Sequence, residues 1–226
     1  MVAGERTLSI DPWSDADFRE RLQAALHPEP SCHVFDPRRA MAHARSDFDL
    51  SPEAVADIDL AVPPRPAAVL VPIVMRETLT VLLTERSAHL PSHAGQIAFP
   101  GGKLEPHDAG PLGAALRETE EEIGLARSHI SPVGYLDNYR TGTGFHIVPV
   151  VGLVEPTFEL DVDTSEVASV FEVPLSFLMS PLNHQHHQRE WRGRVRTYYA
   201  MPFGERYIWG ATAGMLKNLH DRVFGA

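Results

Sequence analysis

The run Arg117-Glu118-Thr119-Glu120-Glu121-Glu122-Ile123-Gly124-Leu125 gathers more chemistry than any other part of the chain. A helix turns about 100° per residue, so Glu118, Glu121 and Glu122 share one arc of about 100°. Leu112, Ala115, Leu116, Thr119 and Ile123 fall on the opposite arc, giving the helix an apolar back and an acidic front. Three carboxylates held so close repel one another, and a hard divalent cation with oxygen ligands relieves that repulsion. A charge run is more often a solvated face. Here the ends also fit a built element. Gly110-Pro111 suits a helix start and Gly124 its stop. Upstream, Phe99-Pro100-Gly101-Gly102 lets the backbone come close to a bound group.

The stretch resembles the Nudix hydrolase signature, G-x5-E-x7-R-E-U-x-E-E-x-G-U with U aliphatic. Arg117, Glu118, Glu121, Glu122, Gly124 and Leu125 match at that spacing, and Thr119 occupies an aliphatic position. In the first half the glutamate position falls on Ala109 and the first glycine on Lys103. One inserted residue between Gly102 and Arg117 accounts for this and brings Asp108 into the glutamate's place. Upstream, Leu82-Leu83-Thr84-Glu85-Arg86-Ser87, Leu90, His93, Gly95 and Phe99-Pro100-Gly101-Gly102 resemble the element that marks coenzyme A pyrophosphatases. Pro91 stands where that subgroup carries an arginine, so one contact to a phosphate-rich substrate is missing.

The resemblance implies an α/β (α+β) fold, a Nudix-like α/β/α sandwich with a mixed β-sheet. It implies Mg²⁺ or Mn²⁺ held by Glu118, Glu121, Glu122 and the Gly102 carbonyl, with Arg117 orienting the carboxylates. Catalysis would rest on Glu118, Glu121, Glu122 and Arg117. Either a box glutamate or Glu166, on a later loop or helix start, would act as general base. Arg86, His93, Gly95 and Gly101 would contact substrate. The leading substrate is coenzyme A or an acyl derivative, cleaved to 3′,5′-ADP and a 4′-phosphopantetheine species. NADH, ADP-ribose or a dinucleoside polyphosphate is the alternative, and a non-catalytic Nudix-fold module a third.

Composition bounds this. The chain has 226 residues, 43% hydrophobic and 22% charged, ordinary for a soluble globular protein. A formal charge of −10 argues against a nucleic-acid partner, which needs clustered Lys and Arg. It also requires that a polyphosphate be met by a bound metal and local arginines. The single cysteine, Cys32, excludes an intrachain disulfide and suits a reducing, cytoplasmic setting. The longest apolar run, Ala67 to Met75, is far too short for a membrane span.

Residues 1–66 read as an N-terminal helical extension and proline-rich connector, and residues 67–226 as the catalytic domain. Ser14 could cap a helix from Asp15 to about Leu26 with Phe18, Leu22 and Leu26 on one face. Seven prolines then break residues 27–66, leaving room for one short helix from Pro52 to Asp57. The extension is expected to serve packing or a homodimer interface. Strands are expected at Ala68–Met75, Leu79–Thr84, Gln96–Phe99, Val133–Asn138, Ile147–Val154, Val195–Met201 and Arg206–Trp209. Helices are expected at 166–171, 174–179 and from Ala211 to about Val223. Strands interleaved with helices give a mixed sheet flanked by helices.

Other clusters have plainer readings. Asn183-His184-Gln185-His186-His187-Gln188 reads as a solvated loop rather than a metal site. Arg189, Arg192, Arg194 and Arg196 either meet phosphates or keep the surface soluble. Thr141-Gly142-Thr143-Gly144 reads first as a turn that could lie over substrate. Trp191, Tyr198 and Trp209 read as core rather than base-stacking platforms.

Overall fold

The structure, a computed structural model, describes residues 15–30, 44–53, 62–191 and 193–225. Ser14, Cys32, Arg192 and most of the 52–57 segment lie outside the described residues.

Two long apolar strands form the centre, β2 (Arg65–Val74) and β8 (Phe145–Val154), paired in parallel along their full length. Both are buried on both faces, which is why they read as continuous apolar runs rather than alternating ones. The period of two divides them. Val69, Val71, Ile73, Val151 and Leu153 face one core, whereas Ala68, Leu70, Val74, Val148, Val150 and Val154 face another.

The rest of the large sheet extends from this pair. β1 (Arg45–Ser46) and β7 (Tyr139–Arg140) continue beyond β8, which also pairs with β6 (Ile130–Tyr135). On the other side, β3 (Thr80–Arg86) and β4 (Ile97–Ala98) follow β2, while β5 (Gly101–Lys103) pairs with β2 and β9 (Val167–Pro174) with β3. The β1–β7 and β2–β8 pairs are parallel and the others antiparallel, so the sheet is mixed.

Helix α2 (Gly110–Ile123) covers one face, burying Ala114, Ala115, Thr119 and Ile123. On the other lie α1 (Asp15–Ala25) and α4 (Gly210–Val223), so the architecture is the expected α/β/α sandwich. Phe18, Leu22 and Leu26 are buried in the same core as Met215, Leu216 and Leu219 of α4. Between β9 and the end of the chain come a single turn, α3 (Leu175–Leu178), and a second, three-stranded antiparallel sheet. Its strands are β10 (Gln185–Trp191), β11 (Arg194–Phe203) and β12 (Arg206–Trp209). No helix among the described residues is long and apolar enough to cross a membrane.

Two expectations are corrected. The segment expected as a helix at 166–171 is the start of β9, in register with β3 from Thr80↔Pro174 to Arg86↔Val167. Its Val-Ala-Ser-Val-Phe-Glu-Val sequence is rich in β-branched residues, and that pairing supplies the ladder a short helix would lack. The histidine-rich segment is not a loop: Gln185 to Gln188 belong to β10, paired with β11. Both its faces are largely exposed, so no apolar alternation marks it.

Candidate active site

β5 delivers the two glycines against β2 and α2. Gly102 lies opposite Ala68 and Gly101 opposite Val69. Gly101 has φ +147°, and a Cβ there would overlap the Ala68 carbonyl oxygen and the Val69 Cα. A Cβ on Gly102 would overlap the Glu118 carboxylate. Only glycine permits this approach of strand, helix and carboxylate. α2 ends as its sequence predicts, with Gly124 at φ 67° and its N–H donating to the Glu120 carbonyl. Thr119, at an otherwise aliphatic position, is buried because its hydroxyl donates to the Ala115 carbonyl at 2.7 Å.

On the acidic front, Arg117 is the hub. Its Nε and Nη2 donate to Asp108 at 2.9 and 3.0 Å, and its Nη1 donates to Glu118 at 3.0 Å and Glu121 at 2.9 Å. The guanidinium holds the Asp108 carboxyl down at about 2. Asp108 therefore anchors Arg117 through two hydrogen bonds, which is the use the structure makes of the shifted glutamate position.

Glu122 is 5% exposed and accepts from the Gly101 N–H at 3.0 Å, with Arg86 Nη1 at 3.6 Å from its other oxygen. Burial pushes its carboxyl up to about 7, against the pull of the Gly101 N–H and Arg86. Burial also raises Glu118, outweighing Arg117. Negative charge on Glu166 contributes to both shifts, so the fold brings Glu166, exposed just before β9, towards these two carboxylates.

The donors fit a hard divalent cation in kind: carboxylate oxygens, two of them raised, crowded on one helix face. Among the described residues no three His, Cys, Asp or Glu side chains converge on one metal-sized point. Glu118 and Glu121 are drawn to Arg117, whereas Glu122 is drawn to Gly101 and Arg86.

Arg86 also lines a cavity of about 550 Å³ between the large sheet and the three-stranded sheet. Phe145 and Ile147 of β8 and Val69 of β2 form part of its wall, and the Thr141-Gly142-Thr143 turn borders it. Asp47, just after β1, holds that turn by accepting from the Gly142 N–H at 2.7 Å and the Tyr139 hydroxyl at 2.9 Å.

Of the other expected substrate contacts, His93 lines the cavity, adopts φ 59° and pairs its Nδ1 with the Gln96 Oε1 at 2.9 Å. Gly95 lies outside the lining, and its N–H is used by the Arg86 carbonyl. Pro91 is exposed and also outside it. Trp191, Tyr198 and Trp209, expected as core, are only partly buried and line the cavity with Arg189 and Arg196. Nothing in the sequence marks Asp47, since an aspartate in a proline-rich connector, with Asp49 two residues on, fits no motif.

The sequence model of the NUDIX domain matches residues 64–193. A Photorhabdus laumondii protein described as an uncharacterized Nudix hydrolase NudL is 40% identical over 159 residues, covering 70% of this chain and 85% of that protein. A Yersinia pestis protein with the same description is 38% identical over 159 residues, covering 70% of this chain and 80% of that protein. Among solved structures, a Caenorhabditis elegans Ap4A hydrolase binary complex superposes with a TM-score of 0.42 at 19% identity, over 48% of this chain and 80% of that one.

Proposed function

The chain belongs to the Nudix family of hydrolases, which cleave diphosphate bonds, and from that premise we propose that it hydrolyses coenzyme A or an acyl derivative. The products are 3′,5′-ADP and the (acyl-)4′-phosphopantetheine. The observation that carries this reading is the double position of Arg86, at 3.6 Å from Glu122 and in the wall of the cavity of about 550 Å³. It joins an acidic centre suited to diphosphate hydrolysis to a space suited to a small organic group. The coenzyme A-type motif around Arg86, His93 and the paired glycines supports the substrate.

Glu118, Glu121 and Glu122, with the Gly102 carbonyl, would hold Mg²⁺ or Mn²⁺. Such an ion, when bound, neutralises diphosphate oxygens and lowers the pKa of a coordinated water. Arg117 keeps the carboxylates in place, and Arg86 meets the negative charge of the diphosphate. Glu166, exposed at the edge of the cluster, takes the proton from the attacking water. The water oxygen bonds to one phosphorus, the bridging P–O bond breaks, and the other phosphate leaves with the bridging oxygen.

A substrate panel tests this. Coenzyme A, NADH, ADP-ribose and a dinucleoside polyphosphate are incubated with Mg²⁺ or Mn²⁺ and the products separated by chromatography. Cleavage of coenzyme A to 3′,5′-ADP is expected. Turnover of NADH, ADP-ribose or the dinucleoside polyphosphate without cleavage of coenzyme A overturns the substrate, and no hydrolysis of any of them overturns the enzyme reading.

A further inference from the structure

The second sheet carries an arrangement that diphosphate hydrolysis alone does not explain. Arg189 of β10 and Arg196 of β11 are directly opposed cross-strand partners, and both line the cavity. Like charges directly opposite destabilise a strand pair. Trp191 lies on the same face two residues from Arg189, and Tyr198 two residues from Arg196. Arg189 Cζ is 5.9 Å from the Trp191 ring centroid and 5.4 Å from that of Trp209, and Arg196 Cζ is 5.8 Å from Trp191. Both guanidiniums thus approach the Trp191 indole, Arg196 also lying 5.2 Å from the Phe48 ring centroid and acting through its charge on Asp47. Among the described residues, the Arg189 side chain makes no hydrogen bond or ion pair. Asp47, in the same cavity, has its oxygens engaged by Tyr139 and Gly142.

Two opposed guanidiniums beside aromatic faces match one kind of ligand part: a planar base with an anionic oxygen group close to it. A formal charge of −10 argues against nucleic acid as that ligand, whereas a cavity of about 550 Å³ has the size of a small-molecule site.

We propose that Arg189 and Arg196, with Trp191, Tyr198 and Trp209, form a specificity subsite for a nucleoside that carries a phosphate monoester apart from the scissile diphosphate. The ring stacks on the aromatic wall, and the monoester lies between the two guanidiniums. The subsite rests on the reading of a diphosphate substrate for its purpose, but its existence can be measured without turnover. It also assigns to the second sheet the cationic contact that Pro91 does not provide.

The experiment measures binding of 3′,5′-ADP and 5′-AMP to the full chain in EDTA, by calorimetry and tryptophan fluorescence. The wild type is expected to bind 3′,5′-ADP at least about tenfold more tightly, a difference set by one charge-assisted contact. Arg189→Gln, at an exposed strand position, is expected to cut that ratio below about threefold. Trp191→Ala should weaken both nucleotides alike. Raising ionic strength should shrink the wild-type preference, a readout that needs no variant. Equal binding of the two nucleotides by the wild type overturns the subsite. So does a preference that survives in both Arg189→Gln and Arg196→Gln, or one insensitive to salt. If the substrate panel shows no hydrolysis while this preference stands, the enzyme reading falls and the subsite remains. Hydrolysis without the preference has the opposite meaning.

Discussion

Replacing Asp108 by asparagine tests its role as the anchor of Arg117. Asp108 accepts two hydrogen bonds from Arg117 at 2.9 and 3.0 Å and one from the Glu105 N–H at 2.7 Å. The carboxyl falls from 3.8 to about 2, chiefly through Arg117, a change equivalent to about 2.5 kcal/mol. The Asp108 side chain is 3% exposed and that of Arg117 17%, but asparagine keeps one acceptor oxygen towards Arg117, so about 1 kcal/mol of it is lost in the variant. In a chain of this length that is about 2–4 °C of melting temperature. The sign follows from the depressed carboxyl. Its contribution is complete above about pH 4 and is lost as pH falls towards 2. Asp108→Asn should therefore melt lower at pH 7 and lose part of the acid-side fall that the wild type shows. Turnover should drop about tenfold, because Arg117 no longer has a fixed point from which to hold Glu118 and Glu121. Thermal melts from pH 7 to 2, with steady-state kinetics at saturating metal, provide the test. A variant that melts with the wild type at every pH and keeps full activity refutes the anchoring role.

Glu122→Gln should abolish most turnover yet stabilise the metal-free protein. The folded carboxyl titrates near 7 against 4.5 unfolded, so its ionisation opposes folding increasingly from pH 4.5 to 7, by about 3 kcal/mol when complete. Denaturant melts in EDTA at pH 8 check this, and an unchanged or lowered midpoint counts against it. Leu22→Ala removes a fully buried side chain of α1 from the core it shares with α4, and should cost about 3 kcal/mol, or about 6–12 °C. A shift below about 2 °C, read by calorimetry, would mean that α1 is peripheral to stability.

The parts legible in the sequence are those whose signal is local. α2 shows its two faces, its proline start and its glycine stop within a few turns. β2 and β8 declare themselves because burial on both sides demands apolar residues without interruption. β9 misleads because eight residues with mixed exposure have no period that decides between helix and strand; the decision is made by β3, far away in the chain. β10 has no apolar face at all and exists through its pairing with β11. The acidic centre was readable as a cluster because one helix carries most of it. The cavity was not, since Asp47, Arg86, Thr141, Arg189 and Trp209 are separated by long stretches and meet only in the fold.

The resulting charge distribution gives the molecule a direction. At the acidic end five carboxylates, Asp108, Glu118, Glu121, Glu122 and Glu166, face two guanidiniums, Arg117 and Arg86. Burial outweighs the nearby arginine at Glu118 and Glu122, so further positive charge there, as the proposed metal would bring, favours their ionised form. At the cavity end the balance reverses: Arg86, Arg189 and Arg196 line it with Asp47, which burial raises. Arg86 stands between the two ends. On the proposed reading, a diphosphate whose two sides differ in charge would have one favourable orientation, with its more anionic nucleoside towards the second sheet and its scissile bridge over α2. Reversing the charge of the cavity end, rather than altering the acidic centre, is then the perturbation that would change which substrates are accepted while leaving the hydrolytic step intact.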